Sequence, residues 1–99
     1  MIGKGRPSFP FTKASITANA PKASGVYAIL NAQKWIYVGE SGDMQASLLG
    51  HYGGDNRCII LHRPTAFQVE VCNAQQRVAM QDALVLDLKM PECNKTLLD

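Results

Sequence analysis

Acidic residues are absent from the first 39 positions of this 99-residue chain, so Lys4, Arg6, Lys13, Lys22 and Lys34 leave that stretch at +5. Residues 40–99 carry five basic against eight acidic side chains and come to −3. The overall charge of +2 is too small for a strongly basic nucleic-acid binder. Phosphate contact would have to come from the local asymmetry, which is equally what a solvated basic tail would give. Long apolar runs are also missing, which excludes a signal peptide and a bilayer-spanning helix, so the default location is cytoplasmic and no membrane partner is expected. Cysteine is sparse: Cys58, Cys72 and Cys93 are odd in number, far apart and without a C-x-x-C pair. Neither a disulfide framework nor a zinc site is indicated, and reduced, mostly buried thiols are expected. Repeats and low-complexity tracts are absent, which excludes solenoids and disordered arrays. What remains is an ordinary globular composition, 46% hydrophobic, at a length that fits one small domain with a single core.

Residues 1–12 hold Gly3, Gly5, Pro7 and Pro10 and read as an extended or irregular lead-in, with Phe9 or Phe11 packing onto the domain edge. Thr12 can cap a short helix to Ala20 that buries Ile16 and stops at Pro21. Two β-type runs follow, Gly25 to Leu30 and Trp35 to Gly39. The four residues between them are too few for anything but an antiparallel hairpin, which puts Tyr27 and Tyr37 on neighbouring strands. Glu40-Ser41-Gly42-Asp43 is a turn with an N-cap candidate, and Met44 to Leu49 forms the first turns of a helix ending near Gly50, followed directly by His51. Residues 52–56 read as a loop, and Cys58 to Leu61 as a short strand or the end of a helix. Ala66 to Cys72 alternates as a strand, with Phe67, Val69 and Val71 on one face and Gln68, Glu70 and Cys72 on the other. Asn73 then caps the longest helix, about 74–89, whose stripe of Val78, Leu84, Val85 and Leu88, widened by Met80, Ala83 and Leu86, is expected to face the core. The sum is an α+β sandwich: a small three-stranded antiparallel sheet flanked by helices.

Gly25-Val26-Tyr27, then Tyr37-Val38-Gly39, a short helix and His51, and finally a helix from Arg77 running into Pro91-Glu92-Cys93-Asn94 resemble the GIY-YIG nuclease family in order and spacing. The resemblance covers about residues 22–95. It implies a division into a basic, partly irregular arm (1–21), the GIY-YIG-like domain (22–95) and a C-terminal tail (96–99). It also implies that Tyr27 matches the family's candidate base, Tyr37 the second motif tyrosine and His51 the residue that follows the family arginine. DNA is the implied partner, with Lys22, Lys34, Arg57, Arg63 and Asn94 as candidate contacts and Mg²⁺ or Mn²⁺ as the cofactor of an active enzyme, and none otherwise. Without the motif, a tyrosine in a hairpin is usually a half-buried strand residue with its hydroxyl at the surface, and a lone histidine after a helix is usually structural.

Two positions depart from the family. The arginine position falls at Ser47, which can donate a neutral hydrogen bond but brings no charge. Losing a charge-stabilising donor of this kind costs on the order of 10²–10³ in rate. The metal-holding glutamate falls at Asp82, counted back from Pro91, or at Gln81, counted forward from Arg77 with one extra residue before the proline. Arg57, Arg63 and Lys22 are the candidates to replace the cation, and Glu40 and Glu70 the candidates to replace the metal ligand. The sequence therefore supports a GIY-YIG-fold domain, DNA-associated, with impaired or lost nuclease activity. The alternatives are an active but divergent metal-dependent endonuclease and a small protein-interaction module.

Overall fold

Each helix begins where a short polar side chain meets the first free N–H groups. In the computed structural model, which describes residues 2–95, Thr12 accepts from the Ser15 N–H and opens α1 (Lys13–Asn19), and Asp43 accepts from Ala46 N–H and opens α2 (Met44–Tyr52). Asn56 accepts from Ile59 N–H at the start of α3 (Arg57–Leu61), and Asn73 accepts from Gln76 N–H at the start of α4 (Ala74–Asp87). A cap of this type is worth about 1 kcal/mol against alanine, which is why the helix starts follow the local sequence closely. The candidate tail, residues 96–99, lies outside the described residues.

The strands are β1 (Phe9–Pro10), β2 (Gly25–Leu30), β3 (Trp35–Ser41) and β4 (Ala66–Val71), in the spatial order β1-β4-β2-β3, with every neighbour antiparallel. The three-stranded expectation is therefore corrected to four. β1 is too short to show a period in sequence, and it exists because Phe9 and Pro10 pair with Phe67 and Ala66. Between β2 and β3, Asn31 accepts from the Gln33 and Lys34 N–H groups through its side chain, which closes the hairpin turn.

Helices α1, α2 and α3 cover one face of the sheet through Ile16, Ile29, Met44, Leu48, Ile59 and Phe67, all fully buried. Helix α4 covers the other through Leu84, packed with Val26, Ala28 and Val38. Burying side chains of this size contributes about 1.5–3 kcal/mol each. The stripe on α4 is narrower than its sequence implied. Leu84, Val85, Leu88 and Met80 face the sheet, but Val78 and Leu86 are 57% and 73% exposed. On β4, Phe67 and Val69 join the first layer as expected, whereas Val71 at the strand end is exposed.

Three further expectations change. Helix α2 does not stop near Gly50 but continues to Tyr52, so His51 sits in its last turn. Cys58 and Cys93 form a disulfide, and only Cys72 is a free thiol; a 35-residue separation leaves no local trace of such a pairing. The basic segment is not a tail. Ile2 enters the α4-side cluster, Phe11, Ile16 and Ala20 enter the other, and Gln68, buried on β4, ties the lead-in to the sheet. The Gln68 Oε1 accepts from Gly3 N–H at 2.9 Å, and its Nε2 donates to Gly3 O, Arg6 O and Ser8 Oγ at 3.1, 3.3 and 3.0 Å. Among the described residues no helix is long and apolar enough to cross a membrane.

Replacing Gln68 by alanine strands these partners, and a loss of about 1–3 kcal/mol is expected. Urea unfolding measures it; an unchanged midpoint would show that the lead-in is not held by this side chain.

Candidate active site

Strand β2 places Tyr27 toward the α2 side of the sheet, and only the absence of a side chain at position 39 lets it lie there. Tyr27 pairs with Gly39 across the hairpin, and a Cβ built on Gly39 would stand 2.5 Å from Tyr27 Cζ and Oη and 2.8 Å from Tyr37 Cε2. The glycine of the Tyr37-Val38-Gly39 motif is thus a cavity for the Tyr27 phenol. Tyr37 lies beside it, ring centroids 6.2 Å apart.

The extra turn of α2 carries His51 onto this pair, with ring centroids 5.6 Å from Tyr27 and 5.5 Å, edge-on, from Tyr37. His51 Nε2 is 2.7 Å from the Tyr27 hydroxyl, and Nδ1 is 2.8 Å from Asp55 Oδ1. An ionised carboxylate can only accept, so the Nδ1 of His51 carries the proton and donates it to Asp55. In the neutral imidazole Nε2 is then the lone-pair nitrogen, and the Tyr27 O–H donates to it. The three residues make a directed chain in which Asp55 orients His51 and His51 can take the Tyr27 proton. Asp55 is the member that sequence reading missed. Its signal was the spacing His51-x-x-x-Asp55 across a glycine-rich loop, which is meaningful only once α2 is known to reach His51.

Tyr27 is almost wholly buried, and its pKa is raised well above the ordinary 10.0, first by burial and then by the negative potentials of Tyr37, Asp55 and Glu40; the nearby Ser47 hydroxyl opposes the shift. Burial, then Glu40 and Asp55, likewise raise Tyr37. Neither phenol is ionised at neutral pH, and the ring nitrogen in contact with the Tyr27 hydroxyl is that of His51.

Ser47 lies on α2 and donates to Ser41 Oγ at 2.7 Å, a neutral pair. Arg77, which the sequence reading used only as a counting point, reaches this neighbourhood from α4. Its Nε bonds Glu40 Oε1 at 2.8 Å and its Nη1 bonds Ser24 Oγ at 3.1 Å, and Nη1 would lie 3.3 Å from a Cβ on Gly42, in the turn between β3 and α2. Glu40 is therefore occupied by an ion pair. On α4, Gln81 is half-buried, one turn beyond Arg77 and one before Leu84 on the sheet-facing side, whereas Asp82 is exposed. The chain between α4 and Pro91 takes two consecutive left-handed residues, Lys89 (φ 58°) and Met90 (φ 59°).

The remaining candidates are dispersed. Lys22, Lys34, Arg57 and Arg63 are all exposed. Asn94 departs from expectation: it is 4% exposed, and its amide accepts from Val38 N–H and donates to Val38 O, both at 2.9 Å. With both ends used on the backbone between Tyr37 and Gly39, Asn94 clamps the outer edge of β3 and is not presented to a nucleic acid. Glu70 is half-buried on β4.

No protein-family model and no curated protein matches the sequence. Solved structures do match. The GIY-YIG N-terminal endonuclease domain of UvrC from Thermotoga maritima, bound to magnesium as its catalytic divalent cation, superposes with a TM-score of 0.68 at 18% identity, covering 82% of this chain and 97% of that one. A point mutant of the same domain, also bound to its catalytic divalent cation, gives 0.67 at 18% identity, covering 82% and 96%. This chain therefore has the GIY-YIG domain fold, as its motifs implied.

The phenol shifts set a pH dependence of stability. Above 10.0, the ordinary tyrosine value, the unfolded chain has released tyrosine protons that the native state still holds, so stability falls as pH rises past that value and is unaffected below it. Tyr27→Phe is expected to flatten this alkaline decline. Urea midpoints on either side of the tyrosine range measure it, and identical declines in both proteins would show that Tyr27 ionises normally.

Proposed function

We propose that this GIY-YIG-fold domain associates with DNA through the face bearing Tyr27, Tyr37 and His51, and that its phosphodiester hydrolysis is impaired or lost. The observation that supports the reading is the neutral Ser41–Ser47 hydroxyl pair, since Ser47 stands at the position that the resemblance gives to the family's charge-stabilising arginine. The contacts of His51 with Tyr27 and Asp55 support a face that can orient a nucleophile and accept a proton while lacking the adjacent positive charge.

The residues at the later-helix position do not fit a divalent cation. Gln81 faces the sheet but is a neutral amide, and Asp82 has a carboxylate but is on the solvent side of α4. Mg²⁺ is ordinarily held through carboxylates in near-octahedral geometry, which neither of these side chains offers toward the tyrosine face. Lys22, Lys34, Arg57 and Arg63, together with the exposed Lys4 and Arg6, are the groups available for phosphates, and each contact would add about 0.9 to the salt slope of binding.

A second reading, an active divergent endonuclease, is favoured by Arg77: its guanidinium is fixed by Glu40 and Ser24 at the turn that leads from the motif strand into α2.

A nicking assay on supercoiled and branched DNA with Mg²⁺ or Mn²⁺, run beside salt-dependent DNA binding, separates the readings. Salt-sensitive binding without nicking is expected of the wild type, and Ser47→Arg combined with Gln81→Glu is expected to bring nicking up. Wild-type nicking abolished by Tyr27→Phe and by Arg77→Ala would establish the endonuclease and rule out the impaired domain. Neither binding nor nicking would leave a protein-interaction module. If the enzyme is active, Asp55→Ala is expected to lower the rate with little change in DNA affinity, because it acts through the orientation of His51.

A further inference from the structure

The geometry points to a second site, for a thiophilic divalent cation of the Zn²⁺ class, formed by Cys58, His62 and Cys93 when the Cys58–Cys93 disulfide is reduced. The ligand atoms of these three side chains, two sulfurs and one ring nitrogen, all lie within 4.8 Å of one another. The disulfide accounts for the two cysteines but not for an imidazole converging on both sulfurs.

The arrangement comes from two segments that are held independently of it. Cys58 lies on α3 and His62 is the C-cap of that helix, its N–H bonded to Cys58 O at 3.3 Å and Ile59 O at 3.2 Å. A spacing of four residues on one helical turn puts both side chains on the same face. The His62 carbonyl is further anchored by Asn31 Nδ2 at 2.9 Å. Cys93 is brought in by the segment after α4: its N–H bonds Ile36 O at 2.7 Å, and the adjacent Asn94 clamps Val38. Bringing a cation in thus requires side-chain rotation and little backbone movement.

Two thiolates and one imidazole are a zinc donor set that leaves a fourth position for water. Around Zn²⁺ such ligands stand roughly 3.5–3.8 Å apart, from bonds of about 2.3 Å to sulfur and about 2.0 Å to nitrogen. Cys93 is buried while Cys58 and His62 are partly accessible, which provides a path for the ion. Opening the disulfide takes two electrons and two protons from a dithiol, which becomes a disulfide itself, and yields two thiols. Binding the cation then releases both thiol protons to solvent. Disulfide and metal exclude one another, and either one ties α3 to the segment that carries Asn94 and so to the β3 edge beside Tyr37 and Gly39.

The test titrates Co²⁺ into dithiol-reduced, desalted protein without oxygen, reading the thiolate-to-cobalt charge-transfer band and the visible bands of a tetrahedral ion. One equivalent is expected to bind the reduced protein, none the oxidised protein, and Zn²⁺ is expected to displace the cobalt. His62→Ala still forms the disulfide, so its folding is checked in the oxidised state. After reduction it is expected to bind cobalt more weakly by at least the 10- to 100-fold, roughly, that loss of a supporting group causes, and Cys58→Ser is expected to lose the charge-transfer band. Absence of the band in reduced wild type, or wild-type affinity in His62→Ala, overturns the proposal.

Discussion

Strand β2 is paired along both edges, with β3 on one side and β4 on the other, and five of its six residues are buried. A strand enclosed in this way has no freedom of register, because a slip of one residue would exchange Val26 and Ala28 for Tyr27 and Ile29 between the two layers. That constraint aims Tyr27 at α2 and sets it over Gly39. At Gly25 the same enclosure leaves no room for a Cβ, which would meet the Glu70 carbonyl and the Met44 side chain. The two glycines of the motif therefore serve packing around β2 before they serve any chemistry.

Around this strand the candidate site is unequal. Its proton-handling half is connected: His51 lies within hydrogen-bond distance of Asp55 through Nδ1 and of the Tyr27 hydroxyl through Nε2. Its charge-handling half is altered. A neutral hydroxyl pair stands at Ser47, the position that the resemblance gives to the family arginine, and the cation that does reach the turn, Arg77, comes from α4 and is compensated by Glu40. A side chain that must first part from a carboxylate offers a phosphate less than a free one does, and this is the physical content of the proposed impairment.

The helix starts, the hairpin and the order of motifs were legible because each is decided within a few residues. Thr12 and Asn73 cap where a local rule places them, and Asn31 closes the turn between two β-branched and aromatic runs. Errors cluster where distant segments meet. The period of α4 could not show that Val78 and Leu86 face solvent, since the direction of the buried stripe depends on which residues β2 and β3 turn toward it. The lead-in looked separable because its glycines and prolines describe its backbone, whereas its attachment lies in a glutamine about sixty residues away.

The amino-acid sequence by itself determined the β2–β3 hairpin, β4, the capped starts of α1, α2 and α4 and the two tyrosines of the candidate site, because period, capping and turn chemistry act over a few bonds. Tertiary structure alone decided that Asp55 meets His51 beside Tyr27, that Asn94 clamps β3, that Arg77 reaches Glu40 and Ser24, and that Cys58, His62 and Cys93 converge. Each of these joins residues from different elements, and the packing of α2, α3 and α4 on the two faces of the sheet is what brings them within bonding distance.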